Sequence, residues 1–363
     1  MPAADKTRLT IRTPDDWHLH VRDGDMLRAV IAHSAHRFAR AIIMPNLKPP
    51  VVDVAAASAY RDRIIQAQDD LRAKGQMRYE VKPLMTLYLT DATTPEMVRA
   101  ARSTGWIHGI KLYPAGATTN STAGVNRLES LYPVFEEMQK CGLVLQVHGE
   151  VTDSAVDVFD REAVFIENHL APLVRHFPEL KVVLEHITTK DGAYFVRDMS
   201  TNVCGTITPQ HLLYNRNALF TGGLRPHHYC LPVLKRETHR HELVRLVTSG
   251  LNCYFAGTDS APHTRSSKEQ DCGCAGIYTA NAALELYAEV FDAVNALDKL
   301  EAFVSEHGAD FYGQPLNAGT ITLEKSAQRI PPGYECTIDG RSEELVPLRA
   351  GESVAWRIVE RTG

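Results

Sequence analysis

The chain has 363 residues, of which 44% are hydrophobic and 23% charged, and a formal net charge of −5. This composition is typical of a soluble globular protein with a substantial core. It provides no basic footprint for nucleic acid, no polybasic membrane anchor and no apolar run long enough to span a bilayer. The seven cysteines follow no disulfide or zinc-finger spacing, and the first residues lack the apolar core of a signal peptide. We therefore expect a reduced, cytoplasmic protein with no nucleic-acid or membrane partner.

Along the chain, short apolar and β-branched segments alternate with longer segments of helical character. The predicted strands lie at 16–20, 40–44, 79–88, 107–112, 143–148, 181–186, 202–208 and 251–258. Helices are predicted between them, as at 55–73, 94–104, 128–141 and 241–250, and after the last strand at 281–294 and 297–313. Eight such units predict an α/β fold, the (β/α)8 TIM barrel. We expect one catalytic domain over residues 1–363, with a short C-terminal extension from about residue 314.

The first predicted strand is followed directly by a basic residue, in the stretch "WHLHVRDG". His18, His20 and Arg22 occupy alternate positions, so on a strand they share one face and Trp17 and Leu19 share the other. Two neighbouring imidazoles suggest a metal ligand pair. A permanently charged guanidinium cannot ligate a metal, so Arg22 needs a different explanation.

Polar residues mark the ends of five predicted strands. They are His18 and His20, Lys111, His148, His186 and Asp259. The carboxyl ends of all strands of a barrel meet at one face, where active sites are built. Histidine nitrogens and a carboxylate are the ligands that zinc prefers, so this convergence predicts a metal centre.

Lys111, in "GIKLYP", does not fit this set as an ammonium, because its charge would repel a metal. If burial depresses its pKa, the neutral amine can react with carbon dioxide to form an anionic carbamate. Such a group can bridge two metal ions about 3.5–4 Å apart. The alternative is an ordinary surface or salt-bridged lysine.

Seven motifs in order, "WHLHVRDG", "MPNLKPP", "GIKLYPAGATTNS", "QVHGE", "LEHITT", "LRPHHYCLPVLK" and "GTDSAPH", resemble the dihydroorotase family of the amidohydrolase superfamily. The likeness covers nearly the whole chain and fits the short, single-barrel class found in many bacteria. It implies two zinc ions per subunit, bridged by N6-carboxylated Lys111 and a hydroxide. It assigns His18, His20 and Asp259 to one zinc and His148 and His186 to the other.

The same resemblance implies the reversible, zinc-dependent cyclisation of N-carbamoyl-L-aspartate to (S)-dihydroorotate in pyrimidine biosynthesis, by a hydrolase acting on cyclic amides. Asp259, beside the attacking hydroxide, is expected to accept its proton and deliver it to the departing ring nitrogen. The resemblance further implies a homodimer.

The substrate carries a free carboxylate, which Arg22 can bind through two parallel donors. By resemblance, Asn46 and His263 join Arg22, backbone groups of Leu231 and Ala275 contact the ring edge, and His20 and His148 also touch the substrate. Residues 113–124 are rich in small residues, which predicts a mobile loop. The family uses this loop as a lid, with Thr118 and Thr119 against the substrate; an ordinary flexible loop is the alternative.

Three other histidines are weaker candidates for a role in the metal centre. His239 and His241 lie in a charged segment that favours a helix, where positions i and i+2 do not face each other. His227 could support the site as a neighbour of a ligand.

Two functions compete with the one that the resemblance implies. A hydantoinase or dihydropyrimidinase needs no carboxylate-binding group and generally has an additional domain before the first strand, for which little room is expected here. A catalytically inactive scaffold barrel would be expected to lack metal ligands.

Overall fold

The computed structural model describes residues 7–199 and 201–363, and an eight-stranded parallel sheet lies at its centre. Each strand pairs with the next strand in the chain. The eight strands are β2 (Asp15–Leu19), β3 (Arg40–Ile43), β4 (Lys82–Tyr88), β5 (Ile107–Leu112), β6 (Val144–Val147), β7 (Val182–Leu184), β8 (Val203–Ile207) and β9 (Tyr254–Ala256). All eight coincide with predicted strands, although those predicted at 79–88 and 251–258 are shorter than expected.

Backbone hydrogen bonds between the first and last strands close the sheet. Leu19 and Ser260 form a parallel bridge. The His20 amide donates to Ser260 O at 3.1 Å, and the Asp259 amide donates to His18 O at 2.9 Å. The predicted (β/α)8 barrel is therefore confirmed, and its closure places His18, His20 and Asp259 side by side.

Helices surround the barrel, and several begin directly at a side-chain cap. Asp53, Thr94, Thr189 and Thr208 each accept a hydrogen bond from a backbone amide in the first turn of the following helix. The α-helices are α1 (Gly24–Arg37), α2 (Val54–Ala73), α3 (Pro95–Ser103), α4 (Tyr132–Cys141), α5 (Arg161–Phe165), α6 (Ala171–His176), α7 (Lys190–Asp198), α8 (Pro209–Leu213), α9 (Glu237–Val247), α10 (Arg265–Lys268), α11 (Ala283–Ala293) and α12 (His307–Phe311). Short 3₁₀ or π turns extend several of these helices.

The hydrophobic core has two layers, because alternate strand residues face inward and outward. Outward residues pack against the helices in one large cluster. A separate inner cluster fills the barrel and includes Ile42, Leu84, Val183 and Phe255. The predicted site residues instead lie at or after the carboxyl ends of the strands, and a buried ion pair between Asp15 and Arg40 lies at the amino-terminal starts of β2 and β3.

Trp17 belongs to the inner cluster and stacks on Tyr312, with ring centroids 4.7 Å apart. The strict alternation expected for "WHLHVR" is therefore wrong at this residue, because His18 also contacts the interior. The pairing of β2 with β3 shifts register between Asp16 and Leu19, which allows adjacent side chains to point inward.

A small β-structure formed from both ends of the chain lies beside the barrel. β1 (Arg8–Arg12) and β15 (Arg357–Arg361) flank β10 (Thr320–Glu324) in an antiparallel sheet. β11 (Gln328–Arg329) pairs with β14 (Ser353–Val354), and β12 (Tyr334–Ile338) forms a hairpin with β13 (Arg341–Leu345). Strand β1 was not predicted, because its sequence "RLTIR" alternates too briefly to stand out. Within the described residues, no helix is long and apolar enough to cross a membrane.

Gly308 in α12 leaves room for the Trp17 indole. A Cβ atom at position 308 would lie 2.1 Å from Trp17 Nε1, and both residues are buried. An alanine gains about 1 kcal/mol over glycine in an unobstructed helix. We expect Gly308→Ala instead to lower the free energy of unfolding by about 1–3 kcal/mol, because the overpacked indole must move.

Urea unfolding of Gly308→Ala and of the matched control Asp310→Ala, an exposed position of the same helix, measures this effect. The control should stay within about 0.5 kcal/mol of the parent chain. Equal stability of the Gly308→Ala variant would show that the indole does not require the glycine.

Candidate active site

One cavity at the carboxyl ends of the strands gathers most of the predicted site residues. It is lined by His18, His20, Arg22, Asn46, Tyr113, Thr118, Thr119, His148, His186, Leu231, Asp259, Ala261, Ala275 and Gly276. Two predicted residues are not part of this lining. Lys111 is fully buried next to the cluster, and His263 contacts Arg22 from the outer side.

His18, His20 and Asp259 form a compact group of three potential metal ligands. Asp259 Oδ1 lies 3.3 Å from His18 Nε2 and 3.2 Å from His20 Nε2, and the two Nε2 atoms are 3.3 Å apart. Burial alone would raise the pKa of Asp259, but hydrogen bonds from His18 and His20, together with charge on His18 and His186, hold it well below its usual value. A convergent, ionised carboxylate with two imidazoles matches the ligand chemistry of a divalent metal.

Lys111 lies at the base of this group. Its Nζ donates to Glu185 Oε2, and the same oxygen lies 3.0 Å from His18 Nδ1. Burial lowers the pKa of Lys111 despite the opposing charge of Glu185. The surface alternative is therefore wrong, whereas the salt-bridged alternative agrees with the structure, because Lys111 forms a buried ion pair with Glu185.

Glu185 was missed at the level of sequence. Val183 faces the barrel interior, and Glu185 lies two residues further along the same segment, "VVLEH". Because side chains on a strand alternate between two faces, this spacing could have predicted that Glu185 also faces inward. Within this segment only the adjacent His186 was predicted to be a metal ligand.

The rings of His148 and His186 lie edge to face beside the group of His18, His20 and Asp259, with ring centroids 4.7 Å apart. His186 Nδ1 is buried and has no hydrogen-bond partner among residues 7–199 and 201–363. A second group of potential ligands joins His186 with His18 and Glu185. A buried imidazole nitrogen without a partner costs free energy unless a ligand uses its lone pair, so these residues fit a metal.

Three site residues have left-handed backbone conformations. Their φ angles are 58° for Arg22, 42° for His186 and 45° for Asp259. Such conformations cost a residue with a side chain of order 1–3 kcal/mol and persist where surrounding contacts impose them. Here the His186 amide donates to Thr206 Oγ1 at 2.8 Å, and the Asp259 amide donates to the first strand. Left-handed φ angles at these strand ends direct the side chains into the cluster.

Buried polar residues fix the histidines of the first group. Asn46 Oδ1 lies 2.8 Å from His20 Nδ1, which leaves Nε2 facing Asp259. Asp16 accepts hydrogen bonds from the His18 amide and from the Thr258 amide and hydroxyl, at 3.2, 2.8 and 2.6 Å. Asp16 is thus a buried link between β2 and the segment that follows β9.

Arg22 lies at the rim of the cavity. Its Nη2 is 2.9 Å from His263 Nε2, and its Nε donates to Pro262 O at 3.1 Å. Burial, together with the charge of Arg22, lowers the pKa of His263 to about 2. His263 is therefore neutral, and its Nε2 can accept the hydrogen bond that orients the guanidinium.

Residues 113–125 fold over the cavity as a loop. Val125 N donates to Tyr113 O at 2.8 Å and closes the base of the loop. At its tip, Thr119 O accepts from Asn46 Nδ2 at 3.1 Å, and Thr119 Oγ1 donates to Ala275 O at 3.3 Å. Contacts of the tip therefore reach two other predicted site residues, and Thr118 lines the cavity beside them.

The remaining histidine candidates lie apart from the cavity lining. His239 and His241 are on α9, as the helical prediction required, and His239 Nδ1 accepts from the Lys190 amide. His227 Nε2 lies 2.8 Å from Glu269 Oε1. His227 therefore contacts an acidic side chain of a neighbouring loop, not a potential metal ligand.

Comparison with known proteins identifies the family of the chain. A model of the amidohydrolase family matches residues 15–330. The dihydroorotase of Cupriavidus taiwanensis is 61% identical over 96% of this chain and 98% of its own length. The dihydroorotase of Azoarcus sp. is 60% identical over 96% of this chain and 99% of its own length.

Solved structures give the same relationship. Campylobacter jejuni dihydroorotase has a TM-score of 0.87 at 33% identity, covering 99% of this chain and 100% of its own. Saccharomyces cerevisiae dihydroorotase, solved with 5-fluoroorotic acid, has a TM-score of 0.87 at 31% identity, covering 97% of this chain and 98% of its own. The L-hydantoinase of Arthrobacter aurescens shares only the fold, with a TM-score of 0.76 at 16% identity, over 98% of this chain and 84% of its own. The chain therefore belongs to the amidohydrolase family and, within it, to the dihydroorotase family.

Proposed function

We propose that this protein is a zinc-dependent dihydroorotase, which interconverts N-carbamoyl-L-aspartate and (S)-dihydroorotate in pyrimidine biosynthesis. The observation that carries the proposal is the proximity of the Arg22 guanidinium to a cluster of potential metal ligands in one cavity. The high identity to dihydroorotases over nearly the whole chain supports it. A cytoplasmic homodimer is part of the same proposal.

The proposed metal centre holds two zinc ions. His18, His20 and Asp259 would hold one ion, His148 and His186 the other, and a carboxylated Lys111 would bridge them. The low pKa that burial imposes on Lys111 supports carboxylation, because only the neutral amine reacts with carbon dioxide. When bound, the two ions would lower the pKa of a water molecule and polarise the carbonyl of the substrate.

Asp259 is the proposed acid–base residue. Its ionised carboxylate can accept a proton from the water that attacks the ring amide carbon. The carbon–nitrogen bond of the ring then breaks, and Asp259 delivers the proton to the departing nitrogen. In the synthetic direction, Asp259 removes a proton from the carbamoyl nitrogen as that bond forms.

Arg22 is the proposed determinant of substrate identity. Its guanidinium, oriented by His263 and Pro262 O, would bind the free carboxylate of dihydroorotate. Asn46 lies between His20 and the loop tip, where it could join this contact, and backbone groups of Leu231 and Ala275 would contact the ring edge. A hydantoinase would need no such arginine, because its substrates need not have this carboxylate.

Two observations argue against a catalytically inactive scaffold. All six predicted metal-ligand residues are present and buried. Arg22, His186 and Asp259 are in left-handed backbone conformations that a scaffold would have no reason to maintain.

The proposed role of Arg22 predicts a loss of activity without a loss of metal. Arg22→Met should lower kcat/KM for dihydroorotate at least about 100-fold, since hydrogen bonds to a charged group contribute about 1.5–3 kcal/mol each. Steady-state hydrolysis of dihydroorotate, with zinc content measured in parallel, tests this. Both metals should remain bound.

Arg99→Met is the matched control, because Arg99 is exposed on α3 and pairs only with surface carboxylates. It should retain parental kcat/KM. Higher activity of the parent chain on hydantoin or dihydrouracil than on dihydroorotate would contradict the proposed function itself.

The proposed lid predicts that the loop tip affects turnover. Replacing Thr118 by Ala together with Thr119 by Gly removes both hydroxyls from the tip, so the closed loop loses its contacts with Ala275 and with substrate. We expect kcat to fall well over tenfold, which a stopped-time assay at saturating substrate measures. Thr122→Ala, exposed in the same loop, is the control; near-parental turnover of the double variant would exclude the lid role.

A further inference from the structure

Glu150 is a buried carboxylate that the roles described above leave unassigned. It is 1% exposed and follows His148 by two residues, in "QVHGE". Gly149 between them packs closely on β7, since a Cβ atom there would lie 2.6 Å from Leu184 Cδ1. The Glu150 amide donates to His148 O at 3.1 Å. The chain therefore turns tightly after β6 and brings the side chains of residues 148 and 150 together.

The contact between these side chains selects one nitrogen of the imidazole. Glu150 Oε2 lies 3.1 Å from His148 Nε2. A carboxylate can only accept here, so Nε2 is the donor, and in the neutral imidazole the lone pair is then on Nδ1. Only Nδ1 of His148 is then able to ligate a metal.

Lys235 holds the carboxylate from its other side. Its Nζ lies 3.9 Å from Glu150 Oε1 and donates to Val233 O at 3.1 Å, and both charged residues are buried. An isolated buried carboxylate would be costly, and a buried cation at this distance offsets part of that cost. Glu150 Oε1 has no hydrogen-bond partner among residues 7–199 and 201–363, so the carboxylate is positioned by this ion pair and by the contact of Oε2 with His148.

In the group of His18, His20 and Asp259, the supporting contact is made to the other imidazole nitrogen. Asn46 Oδ1 contacts His20 at Nδ1, so that Nε2 faces Asp259. Residues outside the proposed ligand set thus contact one histidine at Nδ1 and the other at Nε2. This difference indicates that each contact selects which imidazole nitrogen of its histidine is free to bind a metal.

We propose that Glu150, held by Lys235, is a positioning residue that presents Nδ1 of His148 to the second metal ion. This inference rests on the proposed function, because it requires a two-metal centre. It concerns one residue for which no role is otherwise assigned, and it predicts an effect on metal affinity that is separate from substrate binding.

The test compares Zn²⁺ binding by the full chain with Glu150→Leu, which removes the acceptor, and Glu150→Gln, which keeps a neutral acceptor oxygen. Each chain is depleted of metal and titrated with Zn²⁺ in the presence of bicarbonate, and bound zinc is measured by elemental analysis. A parallel Co²⁺ titration followed by visible absorption reports the ligand field of each site. Loss of such a supporting contact typically weakens metal binding 10–100-fold.

We expect Glu150→Leu to bind the first ion normally and the second at least about tenfold more weakly. Glu150→Gln should be intermediate, since a neutral acceptor forms a weaker hydrogen bond than a carboxylate. Glu285→Leu is the matched control, because it removes a buried carboxylate paired with Arg37, on α1, and should bind both ions normally.

Parental affinity for the second ion in either Glu150 variant would overturn the inference, as would equal weakening in both. A parent chain that binds no zinc would contradict the proposed function instead. The two failures are therefore distinguishable.

Discussion

A fully buried lysine lies at the centre of the site. The contacts of the residues around it depend on which groups compensate its charge. Lys111 is 0% exposed and donates to Glu185, which also contacts His18. Burying an ion costs several kcal/mol unless partners compensate. Carboxylation would make the Lys111 side chain an anion beside the carboxylates of Glu185 and Asp259. Divalent cations would then be needed to offset the repulsion among these three negatively charged groups. Carboxylation of Lys111 and binding of two metals are therefore expected to stabilise each other.

The barrel supports this arrangement by separating apolar and polar residues along its axis. Trp17, Phe255 and Tyr312 fill one end of the interior, which leaves the polar groups to the other end, where the loops converge. The left-handed backbone at His186 and Asp259 is tolerated because hydrogen bonds anchor both residues: the His186 amide donates to Thr206 Oγ1 and the Asp259 amide to His18 O. Stability in the apolar half thus offsets strain in the half that carries the chemistry.

Much of this could be predicted from sequence, because the barrel and its strand ends have strong signals. Period, length and order of the strands were sufficient for the fold, and they placed His18, Lys111, His148, His186 and Asp259 together. Glu185 was not recognised as a buried partner, although the inward parity of its strand was available as a signal. Asp16 was not recognised either, because its partner Thr258 is 242 positions away along the chain. Trp17 was placed on the wrong face because a register shift in β2 cannot be inferred from alternation. β1 was missed because its partner, β10, is 312 positions away at Thr10 and Thr322.

Carbon NMR measures directly whether Lys111 is carboxylated. The chain is depleted of metal and then reconstituted with Zn²⁺ and ¹³C-labelled bicarbonate. We expect a carbamate resonance that appears only when zinc is bound and is absent from a Lys111→Ala variant. A chain that binds two zinc ions and turns over dihydroorotate without this resonance would contradict the proposed carboxylation.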